Sequence, residues 1–118
     1  MKLKAICEAL DADIITGNDM LETDIMSACG SDLLSDVMAF AKDSSVLLTG
    51  LVTVQTIRTA HLMDIRAIIF VRGKIPTQDM VDEAQKNGML IATTKLSMYL
   101  ACGKLYESGL KKGSMYGE

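Results

Sequence analysis

The apolar residues near the start of the chain recur with a helical period. Four of them share the spacing i, i+3, i+4, i+7: Leu3, Ile6, Cys7 and Leu10. This spacing predicts a short amphipathic helix with Cys7 on its buried face. The β-branched run ADIITG at 12–17 then predicts a first strand that ends at Gly17, and DIMSA at 24–28 predicts a second.

After residue 40, short apolar runs alternate with segments of helical period. The apolar runs predict three more strands: SVLLTG at 45–50, IRAIIFV at 65–71 and MLIAT at 89–93. The segments that follow them predict helices: about 53–63, from Pro76 and Thr77 to a cap at Gly88, and about 95–108. Strands that alternate with helices indicate a parallel sheet covered on both faces. We therefore predict an α/β fold, a three-layer αβα domain with a mostly parallel sheet of about five strands.

The stretch SACGSDLLSD at 27–36 changes from strand to helix. Ser31 is predicted to be the N-cap of the helix, and Asp32 in the first turn would be stabilised by the helix dipole. Asp36 shares the face of Asp32 at i, i+4 and is predicted to be solvated. We assign residues 1–110 to a single domain and residues 111–118, which belong to the glycine-rich stretch GLKKGSMYGE, to a flexible C-terminal tail.

In open α/β sheets, ligands bind beyond the carboxyl ends of the strands, so the residues after each strand are the candidates. They are Gly17, Thr49, Gly50, Arg72, Gly73, Thr93, Thr94 and Lys95. Two cations beside helix N-termini would suit a phosphate or a carboxylate. Glycine and threonine are also common connectors, and an exposed cation needs no ligand, so both interpretations stay open.

Charge and hydropathy narrow the classes of function. The chain has 118 residues and a net charge of -3, so it lacks the positive field that nucleic-acid binding requires. Its longest apolar runs are far too short to cross a bilayer, and the N-terminus lacks a signal-peptide core. We expect a cytoplasmic protein that has neither nucleic acid nor a membrane as its partner.

No sequence motif supports catalysis. The chain contains none of the patterns G-x-x-x-x-G-K-[ST], G-x-G-x-x-G, G-x-S-x-G and H-E-x-x-H. His61 falls in a predicted helix without an orienting partner, so we predict no catalytic residue and no enzyme.

The cysteines supply an alternative from another class. Cys29 and Cys102 both occur as Ala-Cys-Gly, which raises a redox or iron-sulfur accessory role for them. A cluster needs about four thiolates, so the three cysteines of one chain would need a partner. No metal-ligating set is predicted within the chain.

Four segments, ADIITG, LLTG, AIIFVRGKIP and IATTKLSMY, resemble the DRTGG domain in order and spacing over about residues 2–108. In that family the strand within AIIFVRGKIP ends in Thr-Gly-Gly with a proline three residues on. Here Val71, Arg72 and Gly73 hold those places and Pro76 holds the proline, while Leu51-Val52 replaces the Asp-Arg after the preceding glycine. The chain is similar to short, stand-alone forms and to the N-terminal domain of HPr kinase/phosphorylase.

The resemblance implies an accessory module, because DRTGG domains accompany CBS domains in regulated pyrophosphatases. We therefore predict a non-catalytic regulatory or interaction module that forms a homodimer and has a regulatory protein as a further partner. The residues after the strands lead us to predict a small anionic ligand such as a nucleotide. The resemblance specifies no cofactor. The ligand-binding residues expected are Thr49, Gly50, Arg72, Gly73, Thr94 and Lys95.

Overall fold

The computed structural model describes residues 1–41 and 44–112 of the chain. Five α-helices lie in these ranges: α1 Leu3–Ala9, α2 Leu34–Phe40, α3 Val54–Leu62, α4 Gln78–Lys86 and α5 Met98–Glu107. The same ranges contain five strands: β1 Asp13–Thr16, β2 Ser27–Gly30, β3 Ser45–Thr49, β4 Ala67–Phe70 and β5 Leu90–Thr93. From β2 onwards each strand is followed by an α-helix. The predicted α/β class is thus confirmed.

The strands form one sheet in the order β1-β5-β4-β3-β2. The strands β2, β3, β4 and β5 are parallel to one another. Strand β1 pairs with the outer edge of β5 in the antiparallel direction, with Asp13 opposite Thr93. The sheet is therefore mostly parallel, as predicted, and the one reversed strand is at its edge.

Two apolar clusters cover the two faces of the sheet and make the three layers. One cluster joins α1 and α5 to the sheet and includes Leu3, Ile6, Val46, Ile69 and Leu105. The other joins α2, α3 and α4 to the opposite face and includes Val37, Ile57, Phe70, Met80 and Ile91. Neighbouring residues of β3 and β4 point to opposite clusters, so these strands are buried on both sides and read as unbroken apolar runs.

Side-chain caps fix the starts of three helices. The hydroxyls of Thr53, Thr77 and Ser97 accept bonds from the backbone N–H three residues on. The prediction of Ser31 as N-cap of α2 is wrong, since α2 begins at Leu34 and its N-cap, Leu33, makes no side-chain cap bond. Ser31 Oγ instead accepts from the N–H of Leu33 at 3.0 Å, in a turn before the helix.

Four helices end in the same way. A residue with positive φ follows the C-cap, and the two N–H groups after the C-cap bond back to carbonyls of the last turn. The residues at this position are Asp11, Asp64, Gly88 and Gly109. Glycine is the residue that this conformation favours, so the two aspartates are exceptions.

Two further predictions concern the start of the second strand and the C-terminal tail. The second strand begins at Ser27 rather than at residue 24, because Asp24 bridges Lys2 and the N–H of Ile25 donates to Met1. Of the predicted tail, Lys111 and Lys112 are described, and the N–H of Ala28 donates to the carbonyl of Lys112 at 3.0 Å. Residues 113–118 lie outside the described residues. None of the helices in the described ranges is long and apolar enough to cross a membrane.

Candidate functional site

One carboxylate, that of Asp32, joins the loops that follow three neighbouring strands. Its Oδ1 accepts from the N–H of Gly50 at 2.6 Å and from Oγ1 of Thr49 at 3.3 Å. Its Oδ2 accepts from Nη2 of Arg72 at 3.0 Å. These residues follow β2, β3 and β4, so Asp32 connects the carboxyl ends of three parallel strands.

Gly50 lies directly beneath the guanidinium of Arg72. A Cβ at Gly50 would clash with Nη2 of Arg72 and would lie 2.8 Å from Cζ, so a side chain here would displace the guanidinium from its present position. Arg72 itself has a φ of 60°, in the left-handed region that side chains other than glycine, asparagine and aspartate rarely adopt. We call Asp32, Thr49, Gly50 and Arg72 the Asp32 network.

The bond from the Gly50 N–H, aided by Arg72 and Thr49, lowers the pKa of Asp32, although partial desolvation opposes the shift. A lowered folded-state pKa adds stability that is complete above the unfolded pKa of about 3.9 and is lost as the pH falls through the folded value. We expect Asp32→Asn to be less stable than the wild type at pH 7, by about 1 kcal/mol because the ion pair is exposed. The difference should shrink as the pH falls below the unfolded pKa of about 3.9 and through the lower folded-state pKa.

Urea denaturation of both proteins between pH 2 and pH 7 measures this difference. Asp36→Asn is the control, since Asp36 is exposed on α2 and makes none of the Asp32 contacts. A gap between Asp32→Asn and wild type that stays constant over the whole range would contradict the assignment.

A cavity of about 340 Å³ opens next to this network, where β4 and β5 end and β1 begins. Its walls are Leu10, Asp11, Asp13, Gly73, Ile75, Thr93, Thr94, Lys95 and Leu96. Asp13 reaches this edge because β1 runs antiparallel, so that its first residue lies opposite the last residue of β5. The cavity therefore lies at the place where open α/β sheets bind ligands.

The wall of the cavity is held by hydrogen bonds between loops. The hydroxyl of Thr94 donates to the carbonyl of Leu10 at 2.7 Å, and that of Thr93 donates to the carbonyl of Lys74 at 2.7 Å. The N–H of Gly73 donates to the carbonyl of Thr94 at 2.8 Å. Both threonines thus use their hydroxyl protons inside the protein and shape the wall.

Backbone geometry connects the cavity to the Asp32 network. Gly73, in the wall, directly follows Arg72, and the N–H of Arg72 donates to the carbonyl of Leu96, also in the wall, at 2.8 Å. A Cβ at Gly73 would meet no atom within 4 Å, so the space above this residue is open. A molecule in the cavity would therefore lie against the turn that positions Arg72.

The six residues predicted from sequence fall into two adjacent groups. Thr49, Gly50 and Arg72 belong to the Asp32 network, whereas Gly73, Thr94 and Lys95 line the cavity. Whether they bind a ligand stays a prediction. Gly17 lies far from the carboxyl ends of the parallel strands. Because β1 is antiparallel, its last residues lie beside Met89 and Leu90, where β5 begins.

Sequence reasoning missed three residues at this edge. The sequence places Asp32 in a first helical turn, but the residue lies before α2 and binds two other loops. Asp11 and Asp13 were missed because they precede a strand that was treated as parallel to the rest. A signal for Asp11 was present, since a helix that ends at Leu10 calls for glycine at the next position.

The two Ala-Cys-Gly cysteines lie against different cores. Cys29 belongs to the cluster under α2, α3 and α4, while Cys102 packs beside the cluster under α1 and α5. Burial raises the pKa of Cys29, with smaller contributions from Asp36 and Cys102, and burial also raises the pKa of Cys102. Protonated thiols are poor nucleophiles and poor metal ligands. Within residues 1–41 and 44–112, no three His, Cys, Asp or Glu side chains group as metal ligands would.

Gly30 gives room to Cys102 rather than to a ligand. A Cβ at Gly30 would lie 2.7 Å from Cys102 Sγ and 3.2 Å from Met98 Sδ. A side chain at residue 30 would therefore displace these two sulfur atoms, which pack beside the cluster under α1 and α5. Packing accounts for the glycine that follows Cys29.

His61 lies away from the cavity described above. It is exposed near the end of α3 and lines a separate recess together with Asp64, Arg66 and Asn87. That recess lies where α3 and α4 end and β4 and β5 begin, which is the opposite edge of the sheet.

Comparison with known proteins supports the fold. No family model and no curated protein matches the sequence. Among solved structures, the chain is similar to the CBS and DRTGG domains of the regulatory region of Clostridium perfringens pyrophosphatase, in complex with its activator diadenosine tetraphosphate. The TM-score is 0.77 at 16% sequence identity, and the match covers 91% of this chain and 46% of that one. This similarity supports a DRTGG-like fold.

Proposed function

We propose that this protein is a non-catalytic regulatory module that binds a small anionic ligand such as a nucleotide in the cavity bounded by Gly73 and Lys95. The observation that carries the proposal is the position of the cavity, at the carboxyl edge of a parallel sheet and next to the Asp32 network. Its volume of about 340 Å³ is within the range of small-molecule sites in proteins.

Lys95 supplies the positive charge for such a ligand. It is exposed in the loop between β5 and α5, and it forms no ion pair or hydrogen bond within the described part of the chain. An unpaired ammonium group can bind a phosphate as a point charge. Gly73, also in the wall, has no side chain that would fill the space beside it.

A regulatory role is supported by the connection from the cavity to three loops. A ligand against Gly73 would favour one position of the Arg72 turn, and Arg72 in turn binds Asp32. Because Asp32 also binds Gly50, the preference would extend to the loops after β2 and β3. The neighbouring fold, in the regulatory region of a pyrophosphatase that has diadenosine tetraphosphate as its activator, is consistent with this role. The predicted homodimer stays a prediction.

A nucleotide should raise the midpoint of thermal unfolding, and Lys95→Ala should remove most of that increase. At a ligand concentration one hundred times Kd, binding stabilises a protein by about 2.7 kcal/mol. Loss of a hydrogen bond to a charged group costs about 1.5–3 kcal/mol, which weakens binding tenfold or more. Differential scanning fluorimetry with a panel of nucleotides measures both effects.

Lys4→Ala is the matched control for Lys95→Ala, because Lys4 is exposed on α1 and does not line the cavity. It should retain the full increase. Chromatography after incubation should recover the nucleotide unchanged, as expected for a module that binds without catalysis. A wild-type protein that no nucleotide stabilises at millimolar concentration would refute the proposed function.

A further inference from the structure

Three charged side chains line the cavity without partners in the described part of the chain. Asp11, Asp13 and Lys95 are exposed in its wall, and none of them forms a side-chain hydrogen bond or ion pair with any residue in the ranges 1–41 and 44–112. Asp32 and Arg72 nearby, in contrast, bind each other. The charges in the wall are therefore available to a ligand.

The fold does not require a carboxylate at position 11. Asp11 has a φ of 49° after the C-cap of α1, where glycine is favoured. Its negative charge lies at the negative end of the helix dipole, which is also unfavourable. Glycine would therefore suit this position at least as well as aspartate does.

The charges also limit the ligand. Two carboxylates and one ammonium group give this wall a net negative charge, so a chain of phosphates would be repelled by Asp11 and Asp13. A single phosphate group can pair with Lys95, whose one positive charge offsets part of the charge of about −1.5 to −2 that a phosphate monoester carries at pH 7. Carboxylate oxygens accept hydrogen bonds and cannot donate them, so the part of the ligand beside Asp11 and Asp13 must carry donors.

From this arrangement we infer that the cavity selects a ribonucleoside monophosphate, with its phosphate at Lys95 and its ribose hydroxyls at Asp11 and Asp13. Carboxylates bind ribose hydroxyls in this way in dinucleotide sites. Ile75 and Leu96 supply apolar surface for the base on the same wall. This inference rests on the proposed function and specifies its ligand class.

Isothermal titration calorimetry of the wild type tests this inference. The Kd of AMP, GMP, CMP and UMP is compared with that of the 2′-deoxy counterpart and of the triphosphate of each. The preferred monophosphate should bind about tenfold or more tightly than its deoxy form, because a bond to a charged acceptor is lost. It should also bind more tightly than the triphosphate. Asp11→Gly should lower the ratio of the ribose to the deoxyribose affinity towards one. The fold should be kept, since glycine suits the backbone at this position.

Asp64→Gly is the matched control, because Asp64 occupies the same position after α3 but lines the recess at the opposite edge. It should keep the full preference for ribose. If no nucleotide binds, the proposed function itself fails. If ribose and deoxyribose forms bind equally, if the triphosphate binds more tightly, or if Asp11→Gly keeps the preference, a nucleotide site stands and the inference about its ligand is wrong.

Discussion

Replacement of Gly17 by alanine is expected to destabilise the protein by about 2 to 4 kcal/mol. Gly17 has a φ of 96°, a conformation that costs a side chain energy. A Cβ there would also lie 2.5 Å from the Cα of Leu90 and 2.8 Å from the carbonyl oxygen of Met89. Since backbone atoms cannot rotate away, β1 would have to move from β5. Urea denaturation measures the loss.

Gly109→Ala separates backbone strain from steric clash in this experiment. Gly109 has a φ of 111°, and its Cβ would meet no atom within 4 Å, so only the strain applies there. Gly17→Ala should be clearly the more destabilised of the two. Equal losses would show that the close approach of Gly17 to Leu90 contributes nothing. Because β1 carries Asp13 into the cavity, Gly17→Ala should also weaken any ligand bound there.

The other large effect is expected for Phe70→Ala, at about 3–5 kcal/mol. Phe70 is fully buried at the end of β4, among the residues that attach α3 and α4 to the sheet. Removal of the ring leaves a cavity that a rigid sheet cannot fill, so the transfer and cavity contributions add. The urea midpoint should fall accordingly.

Phe70→Leu is the control for Phe70→Ala, because it keeps most of the apolar volume and should cost much less. Both variants leave the backbone bond from the N–H of Thr94 to the carbonyl of Phe70 in place. A loss below 1 kcal/mol for Phe70→Ala would mean that the core around Met80 and Ile57 collapses into the space, which would contradict a rigid core at this position.

Local pattern was enough for the order of the elements and the fold class. The unbroken apolar runs of β3 and β4 show burial on both faces, and the helical periods between them place a helix on the sheet after each strand. The start of α4 near Pro76 and Thr77 is also predicted from local sequence, because a capping residue acts only on the first turn of its own helix. Ser31 was mispredicted, since its side chain serves a turn before α2.

The candidate site was predicted only in part. Gly73, Thr94 and Lys95 follow strands of known direction, so their common edge could be inferred. The direction of β1 could not, because a strand shows the same side-chain alternation in parallel and antiparallel pairs. Asp11 and Asp13 were therefore missed, and Gly17 was placed at the wrong edge.

The sequence by itself determined the three-layer α/β fold and the half of the site that lies in the β4 and β5 loops, because burial and turn chemistry act over a few residues. Only the tertiary structure decided that β1 is reversed and that Asp32 binds Arg72, 40 positions away. It also decided that Cys29 and Cys102 pack against different cores. Such contacts depend on which strands become neighbours, and that follows from the packing of the whole chain.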